Sequence, residues 1–76
     1  MNAWVRYQYL GSDEVQFDLL TERGERQESL GSVVLDADRF FADDKTGVAE
    51  AAGALGVDAP VVRYAMRHGR SRDIRL

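Results

Sequence analysis

The chain has 76 residues and no cysteine, which leaves room for one small domain and excludes disulfides and thiolate metal sites. Hydrophobic residues make up 45% and charged residues 30%, a globular balance that argues against disorder, and no apolar run approaches the roughly 20 residues that span a bilayer. The net charge of −3 conceals a split: residues 1–45 carry ten acids against five bases, whereas residues 46–76 carry five arginines against three acids.

This split fits a neutral or acidic scaffold presenting a basic end to an anion, and it equally fits a solvated C-terminal tail. The N-terminus has no basic stretch followed by an apolar run, so no signal peptide is expected and a cytoplasmic protein is. At this size dimerisation would add needed burial.

In chain order, residues 3–10 read as a strand, with Trp4, Val5, Tyr7, Tyr9 and Leu10 interleaved with Arg6 and Gln8. Gly11-Ser12-Asp13-Glu14 has turn chemistry, and Val15, Phe17 and Leu19 alternate on one face of a second strand over residues 15–21. Glu22-Arg23-Gly24-Glu25 is a second turn. A third strand lies within residues 26–35, with Gly31 marking a bulge or a weak point. Asp36 is placed to cap a short helical turn over residues 37–42 that folds Phe40 and Phe41 over the sheet. Asp43-Asp44-Lys45 reads as a polar break, and Thr46 as the N-cap of a helix running to Leu55 with Glu50 near the capping-box position. Gly56 interrupts the pattern. Asp58 is placed to cap a last helix with Pro60 in its first turn, ending near His68 at Gly69. Residues 71–76 alternate enough for a short strand. The expectation is α+β: an N-terminal three-stranded antiparallel sheet (1–45), a C-terminal helix-turn-helix (46–70) and a basic tail (71–76) with a short C-terminal strand.

The informative stretch is residues 48–67, VAEAAGALGVDAPVVRYAMR. Two short helices crossing steeply need a small residue where they meet, and Ala52 fits. They need a residue comfortable at positive φ in the turn, and Gly56 fits. An apolar residue of the second helix must fill the angle, and Val62 fits. Ala51, Leu55, Val57 and Ala65 take the remaining inward positions. With Arg67-His68-Gly69-Arg70 after it, the run resembles the helix-turn-helix superfamily, and most closely small regulators of the excisionase and MerR type, over residues 46–70. A plain helical hairpin in a small core gives a similar pattern. The N-terminal sheet carries no such resemblance.

The resemblance implies that the second helix reads double-stranded DNA in the major groove. Arg63, Tyr64 and Arg67 then face outward, and Arg63, Arg67 and Arg70 form one stripe. Arg70, Arg72 and Arg75 hold backbone phosphates, and Tyr64 donates to one. The start of this helix, Asp58-Ala59-Pro60-Val61, is poor in polar readers. A homodimer through the N-terminal sheet would set two reading helices about one DNA turn apart.

An alternative is a protein-binding adaptor or inhibitor of antitoxin, immunity or phage type, in which the acids Asp13, Glu14, Asp18, Glu22, Glu25 and Glu28 face a basic partner. His68 has no acid at suggestive spacing and suits a helix C-terminus. Asp36, Asp38, Asp43 and Asp44 lack the spacing of a calcium loop and read as caps. Phosphate loops and nucleophile motifs are missing from the sequence. No enzymatic activity, cofactor or metal is expected.

Overall fold

The computed structural model describes residues 1–76. Its elements are β1 (Asn2–Leu10), β2 (Glu14–Arg23), β3 (Arg26–Asp36), α1 (Ala37–Ala42), α2 (Asp44–Leu55), α3 (Ala59–His68) and β4 (Ile74–Arg75). The strands form one antiparallel sheet in the order β3-β2-β1-β4. The α+β class, the three-stranded N-terminal sheet and the short C-terminal strand are as the sequence implies. The strands run longer than the alternation alone marks.

Pleating divides the sheet into two faces. Ala3, Val5 and Tyr7 of β1 stand opposite Thr21, Leu19 and Phe17 of β2, and Val33 and Leu35 of β3 stand beside Phe17 and Val15. These side chains meet a helical layer of Ala37, Phe40, Val48, Ala51, Ala52, Leu55, Val62 and Ala65. Phe17 is fully buried between the rings of Tyr7 and Phe40, with centroids 5.2 and 5.7 Å away. Phe41 does not fold over the sheet with Phe40. It is half exposed and stacks at 6.3 Å on the equally exposed Tyr9 at the sheet margin.

Gly31 does mark a bulge. Leu19 opposes Gly31 whereas Leu20 opposes Ser29, so Leu30 is the extra residue. Without it the outer half of β3 would turn Val33 and Leu35 away from the core.

Two capping expectations need correction. Thr46 does not cap α2; Asp43 does. The Asp43 carboxylate accepts from the Thr46 backbone N–H at 3.3 Å and from its hydroxyl at 2.7 Å. These bonds hold the Asp43 carboxyl below its ordinary range. An acid that accepts two donors satisfies the helix start better than a threonine one turn later. Asp43-Asp44-Lys45 is therefore not a polar break but the cap and first turn of α2. At α3, Asp58 occupies the cap position but its side chain makes no capping bond; its carbonyl accepts from Val61 N–H at 3.0 Å.

Gly56 sits at φ 70°, where the Val57 N–H reaches the Ala52 carbonyl at 3.0 Å and closes α2. α3 then packs back on α2, with Val62 fully buried in the same core cluster as Ala51, Ala52 and Ala65. Gly47 is a different case: a methyl group there would overlap the Phe40 ring.

Gly47→Ala is expected to lower stability by about 1–3 kcal/mol through this overpacking. Gly53, exposed in the same helix with open space around its Cα, is expected to gain about 0.5–1 kcal/mol on change to alanine. Urea denaturation of the two variants checks the contrast.

Candidate nucleic-acid interface

α3 forms because Pro60 is tolerated in the first turn, apolar residues recur at helical spacing and Gly69 ends it at φ 85°. Val62 and Ala65 are buried, Val61 and Met66 half-buried, and Pro60, Arg67 and His68 exposed. This leaves one outward face carrying Arg63, Tyr64, Arg67 and His68.

Tyr64 organises that face. His68, one turn on, lies against its ring at 4.3 Å between centroids. The Arg67 guanidinium lies 5.9 Å from the ring centroid and that of Arg72 5.0 Å. Arg72 Nε also donates to the Tyr64 hydroxyl at 3.2 Å. Pro60, Val61 and Tyr64 face Arg72, Ile74 and Arg75 across an open groove of about 400 Å³. Arg63 reaches Asp44, at the start of α2, at 3.9 Å, with both side chains substantially exposed. Such a pair holds Arg63 weakly. Arg67, Arg72 and Arg75 make no ion pair.

Four of the six residues expected to meet DNA (Tyr64, Arg67, Arg72 and Arg75) therefore share the α3–tail flank, and Arg63 is turned toward Asp44 at the start of α2. Arg70 does not share it, and the expected stripe of Arg63, Arg67 and Arg70 is corrected. The left-handed turn at Gly69 takes the chain off the helix, so helical spacing no longer applies. Arg70 lies cross-strand from Arg6, over the Trp4 ring at 4.6 Å, and is paired with Asp73 at 2.8 Å. His68 is a member of the basic face beyond its helix-ending role. The signal was its i,i+4 spacing from Tyr64.

The opposite sheet face carries a polar cluster. Asp18 is only 4% exposed there. Its carboxylate accepts from Arg6 Nη2 at 3.1 Å and Gln16 Nε2 at 2.8 Å. Trp4 and Leu20 close one side and are themselves buried. Arg6 Nε is buried with no partner. Burial pushes the Asp18 carboxyl upward, but bonds from Gln16, Ser32 and Arg6 together with the Arg6 charge outweigh it and hold the group below its ordinary value.

The acids of the adaptor alternative do not form one edge. Asp13 and Glu14 lie at the β1–β2 turn, Glu22, Glu25 and Glu28 at the other end of β2, and Asp18 is buried between them. Asp36 and Asp43 cap α1 and α2. No group of three or more His, Cys, Asp or Glu side chains could hold a metal ion, and no helix is long and apolar enough to cross a membrane.

No family model matches the chain, and neither a curated protein nor a solved structure is significantly similar to it.

Asp18 is expected to contribute a pH-dependent share of stability. Its folded pKa is depressed, so the contribution is complete above the unfolded value of about 3.9 and is lost as pH falls through the folded value. Asp18→Asn should cost about 1–3 kcal/mol near neutrality, because Arg6 is left without its acid, and less at acid pH. Denaturation of both proteins at neutral and acid pH measures this. An equal cost at the two would show that the charge does not matter.

Proposed function

We propose that the chain is a small duplex-DNA-binding regulator that enters the major groove with α3. One observation carries the reading: Arg67 of α3 and Arg72 of the tail gather around Tyr64, and neither has an acid to neutralise it. The resemblance of residues 46–70 to helix-turn-helix regulators supports the same conclusion, as does the Gly56 turn with Val62 seated against α2.

The residues divide by chemistry. Arg67 is exposed and projects from the helix, and its planar fork suits guanine O6 and N7. Arg63 is held only by an exposed Asp44, which a phosphate displaces at little cost. Arg72 and Arg75 lie beside the helix on the tail and suit backbone phosphates, which position the protein without reading sequence. The Tyr64 hydroxyl oxygen already accepts from Arg72, so its proton is free for a phosphate oxygen. The same reading places the protein in the cytoplasm. Scattering of the sheet acids leaves the adaptor alternative without a continuous surface.

The overall charge of −3 keeps non-specific affinity modest. Fluorescence titration against random duplex DNA over a salt series should give log Kobs falling against log salt with a slope of about −4, as expected when roughly four phosphates are engaged. Arg67→Ala should weaken binding about tenfold or more. Asp44→Asn should strengthen it by freeing Arg63. Absence of binding at low salt, or indifference to Arg67→Ala, would overturn the proposal.

A further inference from the structure

β3 is the outer strand of the sheet, and no strand of the chain pairs with its far edge. The direction of its backbone groups follows from the ladder. Tyr7 N–H bonds outward to Gly69 and Val5 O outward to Ser71, so the odd residues of β1 face the C-terminal segment. Backbone groups in antiparallel strands alternate sides, so the even residues of β1 bond to β2, and the odd residues of β2 bond to Gly31, Val33 and Leu35 of β3. The N–H and C=O groups of Ser32 and Val34 therefore point away from the sheet.

Exposed strand edges are ordinarily guarded by charge, proline or a bulge. β3 guards only its first half, with Arg26, Glu28 and the bulge at Leu30. From Ser29 to Leu35 there is neither charge nor proline. Val34 is 46% exposed within this unguarded run.

We infer that the outer edge of β3 pairs antiparallel with the same edge of a second copy, about a twofold axis at Val33. Ser32 of each copy then exchanges both backbone bonds with Val34 of the other, and Val33 meets Val33. The register is self-complementary, as a twofold interface requires. It places no charge opposite a like charge in the paired segment, a clash that would destabilise an acidic chain meeting itself. At the ends the charges are mixed: Glu28, held by Arg23 in its own chain, is carried toward Asp38 of the other copy, and Arg26 toward acids. Arg26 has no acid partner in its own chain. In this register it is carried past Asp36 of the other copy, to a groove whose charged lining is three acids, Asp36, Asp43 and Glu50, and one base, Arg39. A twofold axis perpendicular to the sheet keeps both helical layers on one face of an eight-stranded sheet.

The pairing stands apart from the DNA reading but bears on it. α2 contacts β3 whereas α3 contacts β1, next to the C-terminal segment. With strands about 4.8 Å apart, the two β1 strands lie about 24 Å apart and the two β4 strands about 34 Å apart. The α3 helices fall within this interval, up to the spacing of successive major-groove turns.

Sedimentation velocity over a concentration series, with the full chain, tests the pairing. A species of twice the 8.5 kDa chain mass is expected. Val34→Lys and Val34→Glu should each weaken self-association about tenfold by placing like charges across the axis, and an equimolar mixture should restore it. In this cysteine-free chain, Val33→Cys should form an intermolecular disulfide under mild oxidation, whereas Ser12→Cys in the hairpin loop should not. A monomer at every concentration, an undiminished Val34→Lys dimer, or a dimer that Val33→Cys fails to cross-link overturns the inference. Mass is read without DNA, so a dimer that binds no duplex would sink the functional proposal and leave this one intact.

Discussion

Three hydrogen bonds between residues 69–71 and the edge of β1 fix the position of everything the candidate interface uses. Tyr7 N–H donates to the Gly69 carbonyl at 2.9 Å and Ser71 N–H to the Val5 carbonyl at 2.7 Å. The third is made by a side chain: Val5 N–H donates to Ser71 Oγ at 2.8 Å, and the hydroxyl in turn donates to the Arg72 carbonyl at 2.8 Å. Ser71 is 3% exposed, so without its hydroxyl the Val5 N–H would be buried and unpaired, at a cost on the order of 1–3 kcal/mol. Gly69 makes the geometry reachable by turning the chain off α3 at φ 85°. This stitch sends Arg70 to the far face of the sheet and returns Arg72 across Tyr64. It is also the link that holds the end of α3 against β1.

An acidic chain can present a basic face because many of its acids are engaged elsewhere. Asp36 and Asp43 cap helices, Asp18 holds Arg6, Glu28 holds Arg23 and Asp73 holds Arg70. Arg67 and Arg72 remain together beside His68, and their mutual repulsion is offset in part by attraction of each guanidinium to the Tyr64 ring. Tyr64 thus acts as a spacer that keeps two cations near one another without an anion between them. A phosphate arriving at this face supplies the charge that the chain withholds.

The elements of the fold were legible wherever periodicity was strong. Alternation placed Val15, Phe17 and Leu19 on the core face, and the Ala52–Gly56–Val62 spacing placed the turn between α2 and α3. Local competition was not legible. Asp43 and Thr46 are both good caps three residues apart, and the choice went to the side chain able to accept two bonds. Arg70 leaves the stripe of Arg63 and Arg67 because Gly69 ends the helix, and helical spacing holds only as far as that glycine. Phe40 and Phe41 are alike in sequence, yet only the first meets Phe17 and Gly47. The pairing of residues 69–71 with β1 had no local signal, since it joins positions more than sixty residues apart.

Half of the helical layer is alanine, at Ala37, Ala51, Ala52 and Ala65, and Phe40, Val48, Leu55 and Val62 supply its bulk. Small side chains let the helices approach closely but bury little apolar area each, so such a layer stabilises a domain of this size only modestly. Additional burial is therefore worth more here than in a larger protein, and the uncharged half of β3 is a ready place to gain it. α2 packs on β3 and β2, and α3 packs on β1 beside the C-terminal tail. The edge open to a second copy and the basic face open to an anion consequently occupy opposite flanks of the helical layer, so that filling the first leaves the second unobstructed.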